Sequence, residues 1–510
     1  MAKAEPHRLL VPALVFIGIV VAFGGSLGAP LVPLVAHVDH VSVDSAQWSL
    51  TITFLISAVA TPVMGRLGDG PHRREVILGG LAIVAAGGVL AALPLGFAPL
   101  LVGRAMQGVG LGLTPMTLAL ARDMLPPDKA RPALAVLSIT TVAGVGVGYP
   151  VTAVIAERGG LHVAFWFGVC LAVAALVAGY FVVPSSRHHP AVRLDVAGAA
   201  TLGLALAGLM LAISEGESWG WFSDVSLSMV AVSLLLLIGW VLIELRSTHP
   251  LVDIRLMRKV GVVTANVTGA LTGVGMYLMM STVTRLVQTP SSTGYGLGGS
   301  VAIAGLMLTP FSVGSVLASS VTRAMLRRMS PAAVLPIAAV LLAASDVLFV
   351  LARSEVWEIV VVMGVAGLGI GAIFAVMPGF IVRSVPLSET GSALSFNQVL
   401  RYVGYGIGSS ASAAILEAHT SAGSAYPASH GYAIIGAAAC AFWIITLVVT
   451  VVLPRLVHDA PASATALAGE DERAMGVDEL EVEELESIAS VLPYVEDDRT
   501  AADLSGPAPR

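Results

Sequence analysis

Cysteine is scarce in this sequence. Two thiols in 510 residues exclude a disulfide framework and any cysteine-rich metal site. Cys170 and Cys440 both stand in apolar runs and read as small packing residues. Charge is scarce too: 27 Lys/Arg and 33 Asp/Glu amount to 12 % of the chain, against about 25 % in a soluble globular protein. Hydrophobic residues reach 56 % and the mean hydropathy is +0.87. So few charges cannot coat that much apolar surface in water. A soluble enzyme, a nucleic-acid binder and a disordered protein are thereby excluded, and the solvent that fits is a bilayer. No Walker-type phosphate loop occurs, and no Ser/His/Asp arrangement rises above chance. His37, Asp39, His40 and Asp44 share one short loop and read as solvated, so no metal site is expected.

What is present is apolar length. A helix needs about 20 mostly apolar residues to cross a bilayer. Fourteen runs qualify, near 9–36, 46–66, 76–95, 97–121, 132–156, 162–183, 196–214, 225–245, 260–288, 299–322, 332–351, 357–382, 392–416 and 431–453. A membrane barrel would alternate polar and apolar residues in segments of about ten; Val225–Leu245 is apolar all round, so helices are expected. The first run follows Lys3 and Arg8, as in a signal peptide, but it is too long for one and reads as a retained helix. The net charge of -6 is unevenly spread. Residues 454–510 hold 14 acids against 4 bases, whereas residues 1–453 hold 19 acids and 23 bases. With the N-terminus inside, 22 of the 27 Lys/Arg fall on the cytoplasmic side, and only Arg158 and Arg353 fall outside. This obeys the positive-inside rule and places both termini in the cytoplasm of a multi-pass protein of the cell (inner) membrane.

The chain also repeats itself. Gly144, Gly146 and Gly148 recur as Gly404, Gly406 and Gly408, Ala133-Leu134 as Ala393-Leu394, and Pro126 as Pro386, all 260 residues on. Gly108, Gly110 and Gly112 recur as Gly367, Gly369 and Gly371 after 259. The fourth and fifth runs thus map onto the twelfth and thirteenth, eight runs later, so the two copies point the same way. Parallel repeats of this kind are a transporter architecture. The expected fold is an all-α membrane protein of two parallel six-helix bundles plus a two-helix insert: residues 1–183, a linker at 184–259 carrying runs seven and eight, residues 260–453, and an acidic disordered tail at 454–510.

Three motifs follow. The loop after the second run reads Gly65-Arg66-Leu67-Gly68-Asp69-Gly70-Pro71-His72-Arg73-Arg74. A glycine lets the helix end tightly. Asp69 can accept charge-assisted hydrogen bonds near the positive N-terminus of another helix. The fourth run carries Arg104, Gln107, Gly108, Gly110 and Gly112, with the arginine about seven residues deep. An intramembrane arginine faces a cavity or a partner, or else snorkels to the interface. The fifth run carries Gly144, Gly146, Gly148, Tyr149 and Pro150, small residues for close helix approach and a proline that bends.

The loop resembles the signature G-x-L-x-D-x-x-G-R-R of the major facilitator superfamily. Gly65, Leu67, Asp69, Arg73 and Arg74 match, and His72 replaces a glycine. The resemblance implies a cytoplasmic gate that latches and breaks during alternating access. The Arg104–Gly110 stretch looks like the superfamily's R-x-x-Q-G-x-G, which implies a part for Arg104 in proton coupling. The repeat copy has Met363 and Ala366 at the places of Arg104 and Gln107, so the halves are chemically unequal. The Gly144–Pro150 run resembles the antiporter motif, with Tyr149 between Gly148 and Pro150 and Thr152-Ala153 where Gly-Gly is usual. With Arg193–Gly198, His249–Arg255 and Glu389–Arg401, the resemblance extends over about residues 9–453 to the fourteen-helix drug:proton antiporter branch.

One departure bears on coupling. That branch carries an aspartate in its first helix, in D-x-T-x-x-N-x-A-L-P; here Gly24–Pro33 holds no acid. A proton antiporter needs a group that titrates during its cycle. Asp346 is the best acid inside an apolar run, near its outer end, with Glu157, Glu417 and Asp123 behind it. Asp123 itself reads as part of the gate. Asn266, Arg285, Gln288, Asn397, Gln398 and Arg401 are candidates for a central cavity. The resemblance implies a proton-coupled exporter of small amphipathic compounds such as drugs, not an enzyme. It implies no cofactor beyond the coupling proton, and a small-molecule substrate and the bilayer as partners, without nucleic acid. The tail is open to a protein partner. An importer or facilitator of a metabolite, and a sensor or scaffold without transport, are the competing readings.

Overall fold

Apolar residues without charge over 20 or more positions satisfy their backbone within one helix, the one economical solution in lipid. The computed structural model describes residues 7–27, 31–41, 43–184, 195–248, 250–421, 424 and 426–455. The acidic tail beyond 455 and the basic loop with Arg187 and Arg193 lie outside the described residues. Among the described residues there are eighteen α-helices and no strand: α1 (His7–Ser26), α2 (Val32–Val38), α3 (Val43–Gly68), α4 (Arg73–Ala92), α5 (Phe97–Leu111), α6 (Leu113–Met124), α7 (Pro127–Gly159), α8 (Leu161–Val182) and α9 (Val196–Trp219). There follow α10 (Asp224–Arg246), α11 (Ile254–Met257), α12 (Val260–Gln288), α13 (Val301–Leu306), α14 (Thr309–Leu326), α15 (Pro331–Leu351), α16 (Val356–Val382), α17 (Thr390–Ala418) and α18 (Ser429–Arg455).

Among the described residues, eleven stretches are long and apolar enough to cross a membrane. The expected runs at 97–121, 132–156 and 392–416 are helical but outside that set. Polar residues such as Arg104, Gln107, Asn397 and Arg401 dilute two of them. Three runs are also broken. The first ends at Ser26, and the short α2 follows. The fourth divides at Gly112, which flattens to φ -68° and ψ -13° between α5 and α6. The tenth divides ahead of Pro310, whose missing N–H suits the first turn of α14. Leu235, Leu204 and Phe181 are more than 60 % exposed on the helix flanks, a surface suited to lipid tails. Cys170 is exposed on such a flank of α8, against the expectation of a packing role, while Cys440 is half-buried.

The repeat reappears as packing. In the first half α1 packs on α7 and α8, α3 on α5, and α4 on α5 and α8. In the second, α12 packs on α17 and α18, α14 on α16, and α15 on α16 and α18. The halves meet along α3–α17 and α7–α14, two equivalent seams. Matching glycines set the approach. A Cβ at Gly144 would stand 2.7 Å from the Ala22 methyl of α1, and one at Gly404 would stand 2.5 Å from the Ala270 carbonyl of α12. Gly108 likewise meets the Thr53 carbonyl of α3, and Gly367 the Phe311 carbonyl of α14. Gly146 lies between its two neighbours on α7, which runs through Pro150 to Gly159.

The α9–α10 pair covers the α3–α17 seam. The ring of Trp240 (α10) stacks on Phe396 (α17) at 5.9 Å. Ser410 Oγ (α17) donates to the Ile213 carbonyl of α9 at 2.9 Å. Asp195 caps α9 by accepting from the Gly198 N–H, and Asp253 caps α11 by accepting from the Arg255 N–H. Glu244, buried at the end of α10, accepts from Trp240 Nε1 at 2.8 Å.

Overpacking a helix interface costs roughly 1–3 kcal/mol. Gly404→Ala is therefore expected to lower the melting temperature of the detergent-solubilised protein by several degrees. Gly79→Ala, where a Cβ meets nothing within 4 Å, should leave it unchanged.

Candidate functional site

At one end of the α3–α17 seam stands a polar latch. Asp69, just past the end of α3, is 1 % exposed. Its carboxylate accepts from the backbone N–H groups of Gly391 (2.7 Å) and Ser392 (2.9 Å) and from Ser392 Oγ (2.5 Å). Those donors form the first turn of α17, where unpaired N–H groups and the helix dipole favour an anion. Gly65 makes the approach possible, because a Cβ there would stand 2.8 Å from the Gly391 carbonyl. Arg66 Nη1 donates to both Glu389 carboxylate oxygens at 2.7 and 2.8 Å. Arg122, at the end of α6, donates to the Val385 carbonyl at 3.2 Å and to Thr390 Oγ1.

The rest of the signature works within its own half. Arg73 ties the start of α4 to Asp123 of α6 at 3.0 Å and to the Gly68 carbonyl. Arg74 donates to the Tyr180 carbonyl of α8 at 2.7 Å and lies over that ring. Both arginines thus hold the ends of neighbouring helices of their own half, and Arg66 and Arg122 reach across to the other half. Leu67 is half-buried beside them. Burial raises the Asp69 pKa from 3.8 to about 6, against the downward pull of its Ser392 and Gly391 hydrogen bonds.

At the other end of the same seam lies a cavity of about 490 Å³. Leu50, Thr51 and Phe54 of α3 line it, as do Ser409, Ser410 and Ala413 of α17. At 1.5 Å per residue the latch and cavity portions of α3 are roughly 20–25 Å apart. Tyr149, Tyr277, Tyr402 and Tyr405 form an aromatic wall, with Tyr277 and Tyr405 stacked at 4.5 Å. Met210, Ile213 and Trp221 bring the α9–α10 hairpin into the lining. Of the six residues proposed from sequence, Arg285 and Gln288 line this cavity. Gln398 donates to the Tyr402 hydroxyl at 2.9 Å and borders a small adjoining pocket.

The other three turn elsewhere, because buried polar groups take the nearest partner. Asn397 Nδ2 donates to the Ala265 carbonyl at 2.9 Å and to Asn266 Oδ1 at 3.2 Å. Arg401 lies over the Phe374 ring at 4.6 Å. The tyrosine wall escaped sequence reasoning, although four of the nine tyrosines are in it and two of them directly follow repeat glycines, at Gly148-Tyr149 and Gly404-Tyr405.

Arg104 does not snorkel. It is fully buried. Its Nε donates to the Ser49 carbonyl at 3.0 Å, and Nη1 donates to the Gly24 carbonyl at 2.9 Å and to Gln107 Oε1 at 2.7 Å. Nη2 has no partner among the described residues. Gly108 and Gly110 let α5 close on α3 and on Val84 of α4. Asp346, expected near a helix end, is 1 % exposed. It faces Trp443 across a small space that Met276 and Met280 also border. Its Oδ2 has no partner among the described residues.

Hydrogen bonds to a charged group are worth about 1.5–3 kcal/mol each. Asp69→Asn sets an amide N–H group, which cannot accept, against the three donors of Gly391 and Ser392 and is therefore expected to open the latch, seen as a longer distance between spin labels at positions 72 and 388. The raised pKa adds a sign. An open, hydrated Asp69 titrates near 3.8 and the closed one near 6, so closure takes up a proton. Closure gains as the pH falls through 6, fully so below 3.8, and the gain is absent above 6. The closed population in label distances should rise from pH 7.5 to pH 5, and Asp69→Asn should abolish that rise.

Known proteins bear on this arrangement. Residues 14–289 and 266–491 match the family model of the Major Facilitator Superfamily. The chain is 27 % identical over 412 residues to an uncharacterized MFS-type transporter of Mycobacterium tuberculosis, covering 79 % of this chain and 58 % of that one. It is 26 % identical to multidrug resistance protein 3 of Bacillus subtilis, over 72 % of each chain. It is also 26 % identical to the tetracenomycin C resistance and export protein of Streptomyces glaucescens, over 76 % of this chain and 72 % of that one. Its fold is similar to that of the human organic anion transporter MFSD10, with a TM-score of 0.60 and 16 % identity over 88 % of this chain and 100 % of the other. A doubled helical packing scheme, a signature loop latched onto α17 and a family match over most of the sequence converge: the chain belongs to the Major Facilitator Superfamily.

Proposed function

We propose that this chain exports small amphipathic compounds across the cell membrane by alternating access, driven by the proton gradient. The observation that carries the reading is the placement of latch and cavity at opposite ends of one seam between the halves. A passage closed at one end and open at the other is one of two states that such a mechanism needs. The positive-inside bias assigns the latch, with Arg66, Arg73, Arg74 and Arg122, to the cytoplasm. The cavity then opens outward. Both termini would be cytoplasmic and fourteen helices would cross, with bundles at 1–183 and 260–453 joined through 184–259. The export direction and the substrate class are supported by relatives named for multidrug resistance and for antibiotic export.

In this reading Asp346 carries the coupled proton. Met280 borders its pocket and both pockets along the seam, and Met276 borders its pocket and the smaller of those two. Arg104 is the fixed charge that tunes the cycle, since its carbonyl partners Gly24 and Ser49 lie on α1 and α3, next to the seam. The facilitator reading draws on one specific observation, that the cavity lining contains no carboxylate among the described residues.

The test is substrate-induced proton movement in proteoliposomes under an imposed pH gradient. Arg104→Ala is expected to reduce it to the level of empty liposomes. Asp346→Asn should do the same while substrate binding changes by less than about threefold, a difference of under 1 kcal/mol. Full exchange in Asp346→Asn would move the coupling acid elsewhere. No proton movement in the wild type, with substrate still crossing, would leave the facilitator.

A further inference from the structure

We propose that the cavity selects aromatic compounds that carry a negative charge, and that Arg285 is the counter-charge that selects them. The inference rests on the cavity being the substrate site. Arg285, at the last turn of α12, is exposed to the cavity and has no hydrogen-bond or ion-pair partner among the described residues. It is the one charged side chain in the lining among the described residues. Gln288, three residues on along the same helix, places an amide donor beside it. Thr284 and Ser281 add hydroxyls on the same stretch.

The wall behind is aromatic, and the charges behind that wall are positive as well. Arg104 lies within electrostatic reach of Tyr149, and Arg401 of Tyr402 and Tyr405. Neither arginine has a carboxylate partner among the described residues. Glu215 of α9 does not line the cavity, and Asp69 and Glu244 are engaged at the latch end. A cavity with low-dielectric walls and one sign of charge focuses its field on a ligand of the other sign. The tyrosine wall by itself would also suit an organic cation through its ring faces. Three guanidinium groups without an acid among the described lining residues oppose that, and like-charge juxtaposition excludes wrong partners. The volume of about 490 Å³ suits a ligand of three or four fused rings. A guanidinium fork recognises a carboxylate or sulfonate, or a phenolate, in two-point geometry.

Three probes of one shape separate the alternatives: anthraquinone-2-carboxylate, its carboxamide and 2-(aminomethyl)anthraquinone. Binding to the purified full chain is followed by quenching of tryptophan fluorescence at pH 7.5. The carboxylate is expected to bind at least about tenfold more tightly than the amide or the amine, the worth of a charge-assisted hydrogen bond. Arg285→Gln should erase that preference and Arg285→Lys should keep part of it. Gln288→Glu, which puts an acid next to Arg285 without removing it, should erase most of the preference for the carboxylate and decides the matter should Arg285→Gln fail to fold. Equal binding of all three probes, or a preference for the amine in the wild type, overturns the inference. Transport gives a separate reading. One anion moved out against one proton moved in carries two positive charges inward, so uptake of the carboxylate by inverted vesicles should be accelerated by a membrane potential. Coupled transport without charge preference overturns this inference alone, and charge preference without proton flux overturns the exporter alone.

Discussion

Asp69 at the N-terminus of α17 is the contact on which the closed end depends. It places an acid of the first half against N–H groups of the second, with no bridging cation. Each of its three hydrogen bonds is worth about 1.5–3 kcal/mol, but burying a carboxylate costs several kcal/mol. The net is small, and the mechanism demands that it be small. A two-state equilibrium swings from 1:99 to 99:1 on about 5.5 kcal/mol, so a latch worth much more would lock the protein in one state. Arg66–Glu389 and the Arg122 contacts with Val385 and Thr390 sit at the same end. They share the load across the same end of the seam.

The lipid-embedded remainder is held differently. Between helices in a bilayer there is no hydrophobic drive, so close contact and small residues do the work. The repeat glycines perform equal duties in both halves: Gly144 against α1 as Gly404 against α12, Gly108 against α3 as Gly367 against α14. The chemistry on that shared frame is unequal. Arg104 and Gln107 occupy the places that Met363 and Ala366 take in the second half, where both are buried. Conversely the second half holds Asp346, Asn397 and Arg401 inside its helices. One half thus carries a fixed cation close to the seam, and the other carries the buried acid.

Much of this was legible in the residues. Apolar runs give helices because lipid leaves the backbone no other partner, and the Gly65–Arg74 loop offers Asp69 as an acceptor that suits a helix N-terminus. The breaks at Gly112 and before Pro310 were not legible, since hydropathy continues unbroken across both. The fate of Asn266, Asn397 and Arg401 was hidden for another reason: a polar residue in an apolar run must be satisfied, and the sequence does not say whether a neighbouring helix or a cavity satisfies it. The tyrosine wall draws on positions 149, 277, 402 and 405, whose neighbourhood exists only after three helices have packed.

The charge pattern of the cavity also gives a physical reason for what α1 lacks. Arg104 finds the Gly24 carbonyl in the stretch where the antiporter pattern would carry an aspartate. An acid there would pair with Arg104 and cancel one of the three positive charges around the cavity. It would also repel an anionic ligand from a site of low dielectric. In the proposed reading the titrating group is Asp346, behind Met276 and Met280, which would keep proton and anion apart. The energetics favour that separation. Each charge moved across the membrane gains about 2.3 kcal/mol per 100 mV, and exchange of an outgoing anion for an incoming proton moves two charges in the favourable sense. The potential therefore contributes roughly 4.6 kcal/mol per cycle at 100 mV, whereas exchange of a monovalent cation for a proton gains nothing from it. A cavity with arginines around it and no carboxylate among its described lining residues could, in the proposed exchange, draw on the membrane potential with no acid in the ligand's way.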